Sequence, residues 1–136
     1  MNNNNKGYPP SLGPRILFFS GGTALRALSH ELIRYTHNSI HIITPFDSGG
    51  SSAELRKAFN MPAVGDIRNR LLALADLRIK GNPAVYNLLA QRLAKGAAKE
   101  ELWDELSRMA AGKHPLVKQI PEPAYGVILS QLGAFL

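Results

Sequence analysis

Two short apolar runs in this chain each end in a Gly/Ser-rich turn that opens into a helical pattern, and this doubled arrangement constrains the fold most. The first is Phe19-Ser20-Gly21-Gly22-Thr23-Ala24-Leu25; the second is Thr44-Pro45-Phe46-Asp47-Ser48-Gly49-Gly50-Ser51-Ser52. In an α/β protein such turns lie at the carboxyl ends of neighbouring parallel strands. There the backbone N–H groups of the turn and of the first helical turn meet phosphorylated ligands. The pattern marks a candidate nucleotide- or phosphate-ester-binding protein.

The rest of the chain is read around that pair. Residues 1–14 are polar and carry Gly7, Pro9, Pro10, Gly13 and Pro14, which suggests a flexible N-terminal arm. Residues 15–19 form a buried-strand pattern, and residues 24–36 a helix with Leu25, Leu28 and Leu32 on one apolar face. A second strand over 40–43 is stopped by Pro45. Ser51 and Glu54 match a capping box for a helix over 53–59, which Asn60-Met61-Pro62 breaks. Asp66 is a candidate N-cap for a helix over 67–78 with Leu71, Leu74 and Ala75 turned inward.

Beyond Gly81-Asn82-Pro83 two helices fit residues 84–95 and 99–111, stopped by Gly112 and Pro115, with Trp103 packing on a core. Residues 125–136 are apolar, helical in pattern, and end without a polar tail. Two strand patterns are few for a parallel sheet. The expected fold is therefore α/β: a Rossmann-like parallel sheet with flanking helices, in an incomplete, truncated domain over residues 15–136 with a helix-rich C-terminal half.

Composition removes several function classes. The chain has 136 residues, about one domain, and no cysteine, so disulfides, thiol catalysis and thiolate zinc sites are excluded. No apolar stretch reaches the roughly 18 residues of a membrane span, and the Asn-rich start has no signal-peptide core. The expected compartment is the cytoplasm, with no membrane partner. A net charge of +6 is spread from Arg15 to Lys118 without interleaved aromatic residues, which is not the stripe of a nucleic-acid binder. It reads either as a solvated basic face or as a mild field that attracts phosphorylated small molecules.

Three clusters are candidates for chemistry. Ser20-Gly21-Gly22-Thr23 lacks the third glycine of the dinucleotide fingerprint and the Gly-Lys-Ser/Thr of a Walker A loop. A tight turn and a phosphate contact are both open for Gly21, Gly22 and Thr23. Asp47 falls where a ribose-binding acid or a metal-binding carboxylate would stand, or it caps the turn at Gly49-Gly50. Ser48, Ser51 and Ser52 are turn and cap formers or ligand contacts. In Gly65-Asp66-Ile67-Arg68-Asn69, Asp66 caps a helix, or Asp66, Arg68 and Asn69 reach the same sheet edge, where Arg68 pairs a phosphate in two-pronged fashion. Arg56 and Arg70 read as solvated or ion-paired. His30, His37, His41 and His114 have no metal-ligand spacing and read as structural.

In this order and spacing, the three motifs resemble the 2-phospho-L-lactate transferase (CofD) family, which includes the gluconeogenesis factor YvcK. The run from Thr36-His37-Asn38-Ser39 to Gly50 is similar to the GAK system CofD-like branch. The resemblance is concentrated in residues 15–76, and members are usually more than twice as long, so an N-terminal portion is expected. It implies a Rossmann-like site for a nucleotide-linked donor, handled with Mg2+ by a transferase that moves a phospholactyl group. The YvcK branch implies instead a regulator that binds nucleotide-sugars without catalysis.

Transferred by motif position, Gly21, Gly22, Thr23, Ser48, Gly49, Gly50 and Ser51 contact nucleotide or phosphates. Asp47 is the catalytic and metal carboxylate, and Asp66 with Asn69 lies at the base or ribose end; Arg68 belongs with the nucleotide- and phosphate-binding residues. Departures are Ser20 and Ala24 where the family has glycines, Ser48 where it has a second aspartate, and Val64 where it has proline. Enzyme, sensor and fragment without a complete site all stay open, as does a homodimer.

Overall fold

Strands β1 (Ile16–Phe19) and β2 (Ser39–Ile42) pair in parallel, with Ile16 opposite Ser39 and Phe19 opposite Ile42. The Ser20 N–H donates to the Ile42 carbonyl at 2.9 Å and carries the ladder one residue past β1. Helix α1 (Arg26–Leu32) makes the crossover between them, as a parallel pair requires. The structure is a computed structural model, and it describes residues 8–21, 25–46 and 49–136, except for the side chain of Ser51. It falls into two compact units, the first ending at Ala75 and the second beginning at Asp76.

In the first unit, helices α2 (Gly50–Phe59) and α3 (Gly65–Leu74) follow β2, and α3 packs on α1. The fold class is the expected one, a parallel α/β sheet with flanking helices. The helix faces are the expected ones only in part: Leu32 is buried as the spacing predicts, but Leu28 and Leu71 are not. Leu28 and Leu71 are 47% and 54% exposed, whereas Ser29 and Leu32 of α1 and Arg70 and Ala73 of α3 are buried. A polar contact between Arg70 and Ser29 lies between the two helices and rotates each by about one residue from its leucine stripe.

Two helix starts also differ from the sequence reading. Helix α2 begins earlier, with Gly49 at the cap position, so Ser51 lies inside the first turn rather than at the N-cap that the capping box needs. Asn60, at φ 47°, ends it in the left-handed conformation. Helix α3 is capped by Val64, so Asp66 sits in its first turn, where a carboxylate opposes the helix dipole favourably. It stops at Leu74 because Ala75 is extended, short of the expected end at 78.

The described part of the N-terminal arm is tethered. Residues Pro10–Leu12 form a 3-10 turn, and the His37 N–H donates to the Pro10 carbonyl at 2.8 Å. The buried Thr36 hydroxyl donates to the Pro14 carbonyl at 2.7 Å, and the Asn38 amide donates to the carbonyls of Ser11 and Gly13. Gly13 is required by this close approach: a Cβ there would collide with the Tyr35 carbonyl and with Thr36.

The second unit is helical: α4 (Asn82–Ala90), α5 (Lys99–Ala110), α6 (Pro115–Lys118) and α7 (Ala124–Phe135), with α5 on α7 and α4 on α6. Met109, Val117 and Ile120 are its buried apolar residues. Trp103 is not core but 54% exposed. It stands beside Lys99, Glu100 and Asp104 on the charged side of α5, about a right angle from the line of Leu102, Leu106 and Met109. The Asp76 carboxylate is bonded two-fold by Arg78, and Asn82 caps the same bend. Val127 and Phe135 of α7 are exposed. Among the described residues no helix is long and apolar enough to cross a membrane.

Candidate functional site

A parallel pair brings both strand ends to one edge, so the turns after β1 and β2 leave the sheet on the same side. The first turn leaves from Ser20 and Gly21. Gly21 is exposed, and its carbonyl accepts from Arg70 Nη2 at 2.7 Å, which ties α3 to the first motif. The second turn leaves from Pro45 and Phe46. The Pro45 carbonyl accepts from the Ala63 N–H at 2.8 Å, and the Phe46 carbonyl accepts from Arg56 Nη1 at 3.1 Å.

The starts of α2 and α3 touch. A Cβ on Gly65 would lie 2.6 Å from the Ser52 hydroxyl, so glycine at the head of the third motif is what lets the second approach it. Beside this turn lies an open groove of about 540 Å³, lined among others by Pro45, Phe46, Arg56, Lys57 and Asn60. Two basic side chains at its wall give it a positive character.

Of the residues singled out in the sequence, Gly21, Gly49 and Gly50 are exposed at strand end and helix start. Asp66, Arg68 and Asn69 fall together in the first turns of α3 and are half-buried. Gly22, Thr23, Asp47 and Ser48 lie outside the described residues, as does the Ser51 side chain. Among the described residues there is no cluster of three or more His, Asp or Glu side chains able to hold a metal ion.

Arg70, His41, Ser20 and Ser29 were not read as site residues. Arg70 is buried against Ser29 and Gly21 rather than solvated or ion-paired. The sequence clue was a polar residue on each of two leucine-rich helices, four residues after Asp66 in one case. His41 lies on the sheet face shared with Phe18 and Ser20. It stacks on the Phe18 ring at a centroid distance of 5.2 Å and places Nδ1 3.1 Å from Ser20 Oγ and Nε2 3.1 Å from Ser39 Oγ. Burial, and secondarily the Arg70 cation, push its pKa below the ordinary imidazole value, so it is held neutral.

The family model described as 2-phospho-L-lactate transferase CofD matches residues 16–115. The chain belongs to the CofD family. That stretch runs from β1 through α5 and contains all three motifs. Among similar proteins, the gluconeogenesis factor of Bacillus subtilis is 41% identical over 83 residues, 61% of this chain and 25% of that protein. A Thermoanaerobacterium thermosulfurigenes protein provisionally named a gluconeogenesis factor is 37% identical over 94 residues, 69% of this chain and 28% of that protein. An uncharacterized protein of Saccharomyces cerevisiae is 33% identical over 111 residues, 77% of this chain and 23% of that protein. The chain thus spans about a quarter of the length of these relatives. No solved structure matches it.

Proposed function

We propose that this CofD-family chain binds a nucleotide-linked diphosphate at the turns following β1 and β2, and that it acts as a transferase of the 2-phospho-L-lactate type on a phosphoester donor. The observation that carries this reading is the tie from Arg70 to Gly21 together with the contact of Gly65 on Ser52. Through them helix α3, which opens with the third motif, touches each of the other two. Glycines at these points leave backbone N–H groups open to an anion.

In this reading Gly21, Gly22 and Thr23 take the phosphates with Ser48, Gly49, Gly50, Ser51 and Arg68, while Asp66 and Asn69 meet the nucleoside. Asp47 supplies the carboxylate for Mg2+, which suits a hard cation that keeps most of its shell for water and substrate phosphates. When bound, the ion neutralises diphosphate charge; the chain's own part is to bind and orient the donor.

A second reading is a non-catalytic sensor of nucleotide-sugars. It is favoured by Ser48, which leaves one carboxylate where the motif usually has two, and by relatives named as gluconeogenesis factors. A thermal-shift panel of GDP, GTP and UDP-sugars, each with and without magnesium, separates the two. Magnesium-dependent stabilisation by GDP or GTP supports the transferase reading, and stabilisation by UDP-sugars alone supports the sensor. Gly22→Val, which puts a branched side chain in the first turn, abolishes the shift on either reading. No shift with any nucleotide would remove both.

A further inference from the structure

Arg70 is 2% exposed, yet its guanidinium meets only neutral acceptors among the described residues. Nη1 donates to Ser29 Oγ at 2.5 Å and Nη2 to the Gly21 carbonyl at 2.7 Å. Nε has no partner among them, and no described carboxylate pairs with the group. A buried cation without a counter-ion is costly, and two neutral hydrogen bonds offset that cost only in part. A methionine or leucine would pack between α1 and α3 without it. The charge therefore calls for a reason other than stability.

The geometry supplies one. A planar guanidinium presents donors at fixed angles, so one side chain can hold two acceptors on different elements, which a single ammonium on a flexible stem does poorly. Here the two acceptors are a hydroxyl on α1 and the carbonyl of the residue that opens the glycine turn. Fixing that carbonyl fixes the peptide plane that follows it, and hence the direction in which the turn leaves the strand. The positive charge also reaches the sheet edge, since it contributes to holding His41 on β2 neutral.

We propose that Arg70 is a positioning residue that fixes from α3 the Gly21 carbonyl opening the first turn, and that its charge, unpaired among the described residues, is balanced by the anionic group of a ligand seated at that strand end. The second clause rests on the nucleotide-diphosphate reading above; the first does not. Arg70 touches no ligand in this role. It acts through the Gly21 carbonyl and through its field.

Two measurements on the full chain test this. Hydrogen exchange without ligand is followed in the peptide covering residues 20–25 for wild type, Arg70→Met, Arg70→Lys and Ser29→Ala. In Arg70→Met, exchange there rises about tenfold, the loss of one hydrogen bond to a charged group, while α5 and α7 are unchanged. Arg70→Lys and Ser29→Ala give smaller rises, and they keep the test available if Arg70→Met fails to fold. Unchanged exchange in the folded variants overturns the positioning role.

Titration with GDP and with guanosine reads the charge. Arg70→Met lowers GDP affinity about tenfold and leaves guanosine affinity alone, and Arg70→Lys restores part of the difference. A merely structural arginine would weaken both ligands alike, and that outcome overturns the charge role. If wild type binds neither, the nucleotide reading fails with the charge clause, while the exchange result still decides the positioning.

Discussion

The imidazole Nδ1 of His41 lies 3.1 Å from the hydroxyl oxygen of Ser20, the residue that stands between the last residue of β1 and the glycine turn. The second nitrogen lies as close to Ser39, so the neutral ring can donate on one side and accept on the other. Protonation removes the acceptor and forces one hydroxyl to turn. The ring is held neutral first by burial and then by the Arg70 cation.

That depressed pKa has a sign. In the unfolded chain His41 titrates near 6.5, so below that value the unfolded state binds more protons than the folded one. Stability contributed by this residue is present above about 6.5 and is lost as pH falls toward the lower folded value. A His41→Gln variant has a flatter dependence of melting temperature on pH between about 5 and 7 than wild type. NMR titration of the ring should give a pKa below the ordinary value, moved upward in Arg70→Met. A ring that titrates at or above the ordinary value would rule this out.

The contact between the second and third motifs predicts an unusual pair of variants. Gly65→Ala drives a methyl group against the buried Ser52 hydroxyl at 2.6 Å and destabilises the fold by about 1–3 kcal/mol. Ser52→Ala in the same chain removes the obstructing oxygen and recovers part of the loss. Denaturant unfolding of the two single variants and the double variant measures the coupling. Simple additivity would mean that the starts of α2 and α3 do not touch.

Strands and helix order were legible in the sequence because they rest on local pattern. The runs at 15–19 and 40–43, the break at Asn60 and the stop at Gly112 each depend on a few adjacent residues, and all four elements stand in the structure. The burial expected of the first run does not: with only β2 beside it among the described residues, β1 leaves Ile16, Leu17 and Phe19 exposed. The faces of α1 and α3 were not legible. Leucine spacing points inward only when apolar contact decides the rotation, and here a bond from Arg70 to Ser29 decides it. The same bond hid Arg70 from the site, since an arginine following Arg68 and Asn69 reads as solvated until its partner 41 residues away is known. Trp103 misled for a related reason: large apolar side chains are usually covered, but α5 turns Leu102, Leu106 and Met109 inward instead.

The tether of the N-terminal segment makes a prediction away from the site. Gly13 has an ordinary backbone conformation, so alanine there is not strained by itself; the cost comes from the Tyr35 carbonyl and Thr36 that its methyl would strike. Gly13→Ala should lower stability by about 1–3 kcal/mol, because the obstruction is backbone rather than a movable side-chain tip. Proteolysis in the segment before Ile16 should rise in parallel. Equal stability and equal cleavage would mean that the segment leaves Thr36 and Asn38 readily.

Asp47 carries the sharpest functional prediction. It follows β2, precedes the Gly49-Gly50 pair, and occupies the acidic position of the second motif. Asp47→Asn removes charge at nearly constant shape, so an amide oxygen can still accept whatever turn hydrogen bond the carboxylate accepts, and the fold is kept. A neutral amide is a poor ligand for a hard divalent cation. GDP binding or turnover in the variant should therefore fall about tenfold or more with magnesium present, a scale set by one lost charged contact. With metal chelated, the deficit of the variant should vanish or reverse, because the carboxylate then offers the diphosphate only repulsion. Isothermal titration of both proteins under both conditions reads the difference directly. Equal binding throughout would leave Asp47 as a turn former and remove the metal from the first reading.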